Sequence, residues 1–585
     1  MENNMVNLTI DGINVSVPAG TTILEAARKI HVHIPTLCFL KDINQMGECR
    51  MCLVEVEGRR GLATSCIQTV SEGMVVYTNS QKVRDSKRMT LDLILSNHDM
   101  ECLMCTRNGN CELQRLAHEF NMTDILYKGS RSKVGKDAIS PSLERDFGKC
   151  ILCGRCVAVC QDVQQIGAID RVGRGFDTRI GTVMEYSLNN VNCVFCGQCI
   201  TACPTGALHE KDDTEKVWEA LADPNKVVIV QTAPAVRVGL GEEFGYPIGT
   251  SVQGQMVTAL RRLGFDKVFD TNTAADLTIM EEATEFLERV NNKGVLPMIT
   301  SCSPGWIRFC EKNYPDQLDH LSSCKSPHQM FGAVIKSYIA KKCGYDPKNV
   351  FVVSVMPCVA KKFECSRKEM EVDGNRDVDV VITTRELARM IKQKGLDFTK
   401  LEDGTFDLPM GEASGAAVIF GTTGGVMEAA LRTAADVLTG QDIKEIEYKA
   451  IRGEKGIKEA SINVAGKEIN ICVASGTANA KKIMDEIRAG KSKYDFIEIM
   501  ACPGGCVMGG GQPIKSSLIR STVDVRALRA GAIYSLDEKN TIRKSHQNPV
   551  MKQLYDEFFE KPGSHVSHKY LHTHYEKEEL YDIKK

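Results

Sequence analysis

At 585 residues the chain is too long for a single hydrophobic core, so three or more domains are expected. Apolar residues make up 43% and charged residues 25%, an ordinary globular profile. With 73 basic against 75 acidic side chains, a net charge of −2 and no long basic run, there is no electrostatic case for nucleic acid or an anionic membrane surface.

The first residues, MENNMVNLTIDG, hold no basic stretch leading into an apolar core, and no apolar run reaches the ~18 residues a membrane span needs. A cytoplasmic location is therefore expected. In a reducing compartment, 24 cysteines argue for metal rather than for disulfides. Nineteen fall in short patterned groups. Cys310, Cys324, Cys343, Cys365 and Cys472 stand apart and read as small buried apolar residues.

In chain order, VNLTI and NVSV flank Asp11-Gly12, a strong hairpin signal, and a helix, TTILEAARKI, follows. Cys38, Cys49, Cys52 and Cys66 are then spaced C-x10-C-x2-C-x13-C. This is similar to the plant-type [2Fe–2S] ferredoxin framework with a longer first gap, and zinc is the alternative. After a helix at SKRMTLDLILSNH come His98, Cys102, Cys105 and Cys111, a set that suits either a His-ligated [4Fe–4S] cluster or Cys3His zinc. Cys150, Cys153, Cys156, Cys160 and Cys193, Cys196, Cys199, Cys203 are two copies of C-x2-C-x2-C-x3-C, the signature of two-cluster bacterial ferredoxins. The fourth cysteine of each run serves the other cluster, so Cys203 joins the first three thiols and Cys160 the second three. Clusters this dense in roughly two hundred residues exceed any structural need and read as an electron wire.

From about Val227 short apolar runs alternate with amphipathic segments, which predicts βα units around largely parallel sheets. Expected strands are KVVIVQ, KVFD, VLPMIT, VFVVSVM, VDVVI, AAVIF, INICVAS and FIEIM. No phosphate-binding glycine motif stands between a strand and a helix, so nucleotide binding by this chain is not expected. Cys302, Cys358 and Cys502 each follow an expected strand, where open α/β sheets place their ligands. Cys502 and Cys506, at an i, i+4 spacing, suit one turn of helix, and the glycines of EIMACPGGCVMGGGQP suggest close backbone approach to a bulky inorganic group.

TSCSPGW at 300–306, MPCVAKKFE at 356–364 and EIMACPGGCVMGGGQP at 498–513 resemble the three active-site signatures of the [FeFe]-hydrogenases. The N-terminal modules match the long form of that family, and the tail from Arg543 resembles its small-subunit segment. The nearest resemblance is to the hydrogen-cycling subunit of NAD(P)-linked, electron-bifurcating complexes. The implied architecture is an α/β catalytic domain with largely parallel sheets, preceded by small α+β ferredoxin-like domains. It would comprise a [2Fe–2S] domain over 1–80, a His/Cys3 [4Fe–4S] domain over 81–140, a 2[4Fe–4S] domain over 141–215, a catalytic domain over 216–540 and a C-terminal wrap over 541–585.

The resemblance implies reversible H2 formation at an H-cluster, a [4Fe–4S] cube linked to a two-iron unit carrying CO, cyanide and a dithiolate. Cys358, Cys502 and Cys506 are its expected ligands, Lys361 the partner of a cyanide, and Met356 and Met500 an apolar wall. Where the family carries two adjacent cysteines this chain has Cys302-Ser303, so either one is open as the fourth cube ligand. The implied proton route runs through Cys302, Glu282, Ser322, Glu285 and Arg289, with the two glutamates on one face of a helix beginning near Asp276. Implied partners are flavin- and NAD(P)-binding subunits, ferredoxin-like subunits or ferredoxin itself, with H2 and protons as substrates. A complex I-type electron-transfer subunit, a hydrogen sensor and a cluster-assembly scaffold are the competing readings. The first would lack the three signatures, the second would append a signalling domain, and the third would lose parts of the signatures.

Overall fold

The computed structural model describes residues 4–582 apart from 133, 445, 454, 465 and 466. Strands Met5–Ile10 and Ile13–Pro18 form the expected hairpin, turned by Asp11 and Gly12, both at positive φ. They lie at one edge of a five-stranded sheet completed by Met74–Tyr77, Leu53–Val56 and Ala63–Thr64. The helix Ile23–Lys29 packs on this sheet, its start fixed by a capping box between Thr22 and Glu25. A second helix, Gln81–Ser96, capped by Ser80, leads to the His98 segment.

In the bacterial-type ferredoxin region each cysteine run contains a short helix, Arg155–Ala158 in the first and Gln198–Ala202 in the second. Each begins after a glycine in the left-handed region, Gly154 and Gly197. A three-stranded sheet including Leu143–Asp146 and Leu208–Glu210 closes the module.

The large domain is built on two sheets. Its strands, in chain order, are β1 (Val227–Thr232), β2 (Lys267–Asp270), β3 (Met298–Ile299), β4 (Val350–Met356), β5 (Val380–Thr383), β6 (Ile457–Val464), β7 (Lys467–Ser475) and β8 (Phe496–Met500). One sheet has the order β2-β1-β4-β5 and is wholly parallel. The other has the order β3-β8-β7-β6, parallel except for the β6–β7 pair. Buried helices cover both, as near-continuous apolar strands require. The longest, α1 (Thr271–Asn291), is capped by the Asp270 side chain and starts five residues before the expected Asp276.

Three expectations are corrected. AAVIF forms no strand: Gly415–Val418 is a helix continued by a 3₁₀ turn at Ile419–Gly421, and Ser414 accepts from Ala417 N–H at its start. A short run buried on every side carries no periodicity, so the cap decides it. Cys502 and Cys506 do not share a helical turn, because Gly504 and Gly505 between them have φ of +89° and +85° and a 3₁₀ turn begins only at Cys506. Cys343 is exposed, since it closes a surface helix ended by left-handed Gly344, while the other four isolated cysteines are buried.

The last forty residues run across the large domain. Phe559 and Leu571 are buried in the core that contains α1's Leu277, and Thr573 and Glu578 N–H groups bond the carbonyls of Ser323 and Glu311. Among the described residues no helix is long and apolar enough to cross a membrane.

Candidate metal centres and active site

All 24 cysteines are free thiols, so none is committed to a disulfide. In the N-terminal sheet domain Cys52 and Cys66 Sγ atoms lie 3.3 Å apart, and Cys38 and Cys49 Sγ atoms each meet the other's backbone N–H at 3.4 to 3.5 Å. Arg50 beside them is at φ +58°, so the loop between Cys49 and Cys52 doubles back tightly. His98, Cys102, Cys105 and Cys111 line one cavity of about 670 Å³. Cys150, Cys153, Cys156 and Cys203 line another, and Cys160, Cys193, Cys196 and Cys199 a third, the exchange of fourth cysteines expected from the spacing. Soft thiolates grouped around small apolar hollows suit iron–sulfur clusters.

The groups are joined to one another. Asn44 Nδ2 donates to the carbonyls of Cys38, at 2.8 Å, and Cys153, at 3.0 Å. On the other side Arg107 donates to the Cys203 carbonyl, and Gly206 leaves no room for a Cβ beside Cys105 Sγ, 2.5 Å away. Both N-terminal modules therefore meet the Cys150/Cys153/Cys156/Cys203 group. A buried ion pair, Arg155 to Glu112, ties them further, and Ser517 donates to the same carboxylate.

Cys302, Cys358, Cys502 and Cys506 line one cavity of about 90 Å³ together with Ser303, Lys361, Met356 and Met500. It lies between the sheets: Cys358 follows β4 of one, and Cys302 and Cys502 follow β3 and β8 of the other. Burial holds all four thiols above their ordinary range, Cys506 at about 12, a cost that metal binding removes by taking the proton's place. Cys502 Sγ reaches the Cys196 carbonyl at 3.9 Å, which sets the third cysteine group against this cavity.

Gly505 and Gly509 line the cavity, and the glycines of this loop also meet other backbone. A Cβ at Gly510 would meet the Cys196 carbonyl oxygen at 2.7 Å, one at Gly509 the Pro357 oxygen at 2.2 Å, and one at Gly505 the Thr423 nitrogen at 2.5 Å. They allow backbone to press on backbone, holding the ferredoxin module, the Cys358 loop and the Cys502–Cys506 loop together.

Lys361 Nζ donates to the Cys302 carbonyl at 3.1 Å and to Glu364 at 2.8 Å. Burial would raise Glu364, but Lys361 and His328 hold it at about 2. His328, buried and pushed down to about 4, shares a 2.5 Å hydrogen bond with Glu364 Oε2. Sequence reasoning missed Glu364 and His328; the i, i+3 spacing of Lys361 and Glu364 was the available signal for the first. Gln164, which donates to the Ala501 carbonyl at 2.8 Å, had no such signal.

The two candidates for the open position face different neighbours. Ser303 Oγ accepts from Ala501 N–H at 3.1 Å, beside Cys502. The Cys302 thiol neighbours Glu282. Glu282 is fully buried on α1, and burial and nearby Glu285 push its carboxyl up to about 8. Neither of its oxygens has a well-formed hydrogen bond among the described residues, although the Ser301 N–H and Ser322 hydroxyl face it. Ser322 Oγ donates to Glu285 at 2.8 Å, and Arg289 pairs with Glu285 at 2.6 Å while bonding the Asp319 and Leu321 carbonyls. Ser322, Glu285 and half-buried Arg289 are thus joined by hydrogen bonds, with Glu282 between them and Cys302 electrostatically.

Residues 226–510 match the family model for the iron only hydrogenase large subunit, C-terminal domain, and 523–578 that for the iron hydrogenase small subunit. Residues 3–81 match a 2Fe-2S iron-sulfur cluster binding domain, 87–125 an NADH-ubiquinone oxidoreductase-G iron-sulfur binding region, and 149–207 a 4Fe-4S dicluster domain. The chain is 49% identical to the NADP-reducing hydrogenase subunit HndD of Solidesulfovibrio fructosivorans, over 98% of this chain and 99% of that one. It is 45% identical to iron hydrogenase 1 of Clostridium pasteurianum, over 98% and 100%. Among solved structures, a variant of the [FeFe]-hydrogenase HydA1 from Chlamydomonas reinhardtii superposes with a TM-score of 0.57 at 43% identity, covering 63% of this chain and 99% of that one.

Proposed function

The chain belongs to the iron-only, or [FeFe], hydrogenases, oxidoreductases acting on H2, and on that premise we propose how its own residues serve the reaction. The observation that carries the reading is the cavity between the sheets, where four thiols from three strand ends meet the buried Lys361 ammonium, with the fully buried, hydrogen-bond-poor Glu282 carboxyl beside Cys302. Its donor set fits an H-cluster: Cys358, Cys502 and Cys506 supply soft thiolates, Met356 and Met500 exclude water, and Lys361 offers the one cation for an anionic ligand. When bound, the H-cluster supplies the two-electron chemistry that interconverts H2 with protons.

The protein moves charge to it. Cys150, Cys153, Cys156 and Cys203 would hold one cluster and Cys160, Cys193, Cys196 and Cys199 another, and such clusters would supply one-electron chemistry; Asn44 and Arg107 tie both N-terminal modules to the first group, and the Cys196–Cys502 contact sets the second against the cavity. Protons travel between Arg289 and the cavity by Glu285, Ser322, Glu282 and Cys302. Glu282, with its carboxyl near 8, can hold a proton at neutral pH and release it without a large penalty. Cys302 serves as the last proton carrier, with Glu282 as its neighbour. Ser303 Oγ accepts from the N–H of Ala501, the residue before Cys502, which supports Ser303 as the residue that would complete the cube's ligand set.

The likeness to a NADP-reducing hydrogenase subunit supports a place in an NAD(P)-linked, electron-bifurcating complex in the cytoplasm, with flavin-bearing and ferredoxin-like subunits as partners. An infrared spectrum of the purified holoenzyme tests the assignment. Metal-bound CO and cyanide bands are expected, together with about twenty iron atoms, counted as two, three fours and six. Absence of those bands from protein that turns over H2 would overturn the H-cluster, and one zinc with four fewer irons would overturn the cluster at His98.

A further inference from the structure

We propose that Glu285, Cys324 and His572 form a binding site for a divalent cation of the zinc type, and that its occupancy slows turnover. The second half rests on the proton route above; the first does not. A carboxylate oxygen, the thiol sulfur and an imidazole nitrogen of these residues all lie within 4.8 Å of one another. Thiolate, imidazole and carboxylate are the three donors zinc takes, and three protein ligands leave a position for water.

The surroundings are those of a ligating histidine. His572 Nε2 lies 3.1 Å from Glu281 Oε2, and Glu281 is itself fixed by the Tyr555 hydroxyl at 2.6 Å and the Gly563 N–H at 2.9 Å. A carboxylate on one ring nitrogen orients the other toward a metal. That other nitrogen, Nδ1, shares a 2.8 Å hydrogen bond with Ser323 Oγ, a rotatable hydroxyl that can yield it. Cys324 points its Sγ at Glu285 Oε2, 3.8 Å away.

A simple clamp for the C-terminal segment explains the Thr573 and Lys325 backbone bonds, but not the thiol. Cys324 is fully buried and faces Glu285, Glu282 and Glu281. With Glu282 protonated, the carboxylates of Glu285 and Glu281 remain, and among the described residues Arg289 pairs with the first and the His572 ring meets the second. The balance of charge favours a dication, whose binding releases the Cys324 proton to solvent and leaves a thiolate. Entry is short: Glu285 and Ser323 are half-buried, and although the His572 ring is itself buried, exposed His568 lies tilted against it with ring centroids 4.1 Å apart. A cation there would hold the Glu285 carboxylate that Ser322 and Arg289 now share.

The test is zinc sulfate titrated into anaerobic holoenzyme, read by zinc-edge X-ray absorption and by H2 evolution from a reduced dye. One zinc with a sulfur neighbour at about 2.3 Å is expected, with turnover falling at least fivefold and returning on addition of a chelator. Cys324→Ala and His572→Gln should each keep turnover without zinc, lose the sulfur neighbour and resist inhibition. If wild-type protein shows no sulfur-bound zinc, or if both variants are inhibited as it is, the site is wrong. Sulfur-bound zinc with unchanged turnover would overturn the inhibitory half and count against Glu285 as a proton carrier, while leaving the site standing.

Discussion

At the scale of single residues the open question is Cys302 and Ser303. The cavity assigns them different neighbours, a carboxyl for the thiol and a backbone N–H for the hydroxyl. A thiol gives up a proton far more readily than an alcohol, so Cys302→Ser should cut H2 turnover by about 10²–10⁴, the range for a lost proton-transfer group. Electron paramagnetic resonance of the same variant separates the roles. An intact cube signal is expected; loss of it would make Cys302 the fourth ligand instead. Lys361 was legible in MPCVAKKFE, and Glu364, which accepts from its ammonium, carried the i, i+3 spacing signal; His328, which bonds Glu364 and Ser354 of β4, emerges only from packing.

Among elements, the joints between domains decide function. Glu210, at the end of a ferredoxin strand, is buried and pairs with Arg385 and Arg389 of the large domain, and Arg385 also donates to the Gln512 carbonyl beside the glycine-rich loop. Burial alone would raise the Glu210 carboxyl, yet the two guanidinium groups hold it well below the ordinary range. Its contribution to stability is therefore present above the unfolded value of about 4.3 and is lost as pH falls through the folded value. Glu210→Gln should destabilise the protein by about 3–5 kcal/mol, because two arginines lose a buried partner. Denaturant unfolding at pH 7 measures this, and the loss should shrink at the acid end. Equal stability at pH 7 would show that the joint is held by other contacts.

For the whole molecule, the two N-terminal modules each touch the same cysteine group, an arrangement that would make them parallel inputs to the proposed wire. In the complex proposed above, electrons from a pyridine nucleotide would arrive through another subunit. Residues 1–145 offer the surface farthest along the wire, and Leu103 and Met104 beside the His98 cavity are 90% and 84% exposed. Removing 1–145 should spare hydrogen oxidation with an artificial dye and eliminate the NAD(P)-dependent reaction of the assembled complex. If the isolated full-length chain reduced NAD(P)+ with H2 unaided, its role as one subunit would fall.

The sequence by itself grouped the candidate metal-ligating thiols that line common cavities, because cysteine spacing is a local property that survives any global arrangement. It also marked out the parallel strands and the thiols at their ends, through apolar runs of the right length. It misread AAVIF, the Cys502–Cys506 turn and Cys343, where burial without periodicity, positive-φ glycines and a surface helix end override composition. Only the tertiary structure decided that the crevice lies between two sheets rather than within one, and that the glycines bind the ferredoxin module to the active site. It alone brought His572 beside Glu285 and Cys324, residues nearly 290 positions apart at their widest. Such meetings follow from the packing of distant apolar faces, which no local pattern records.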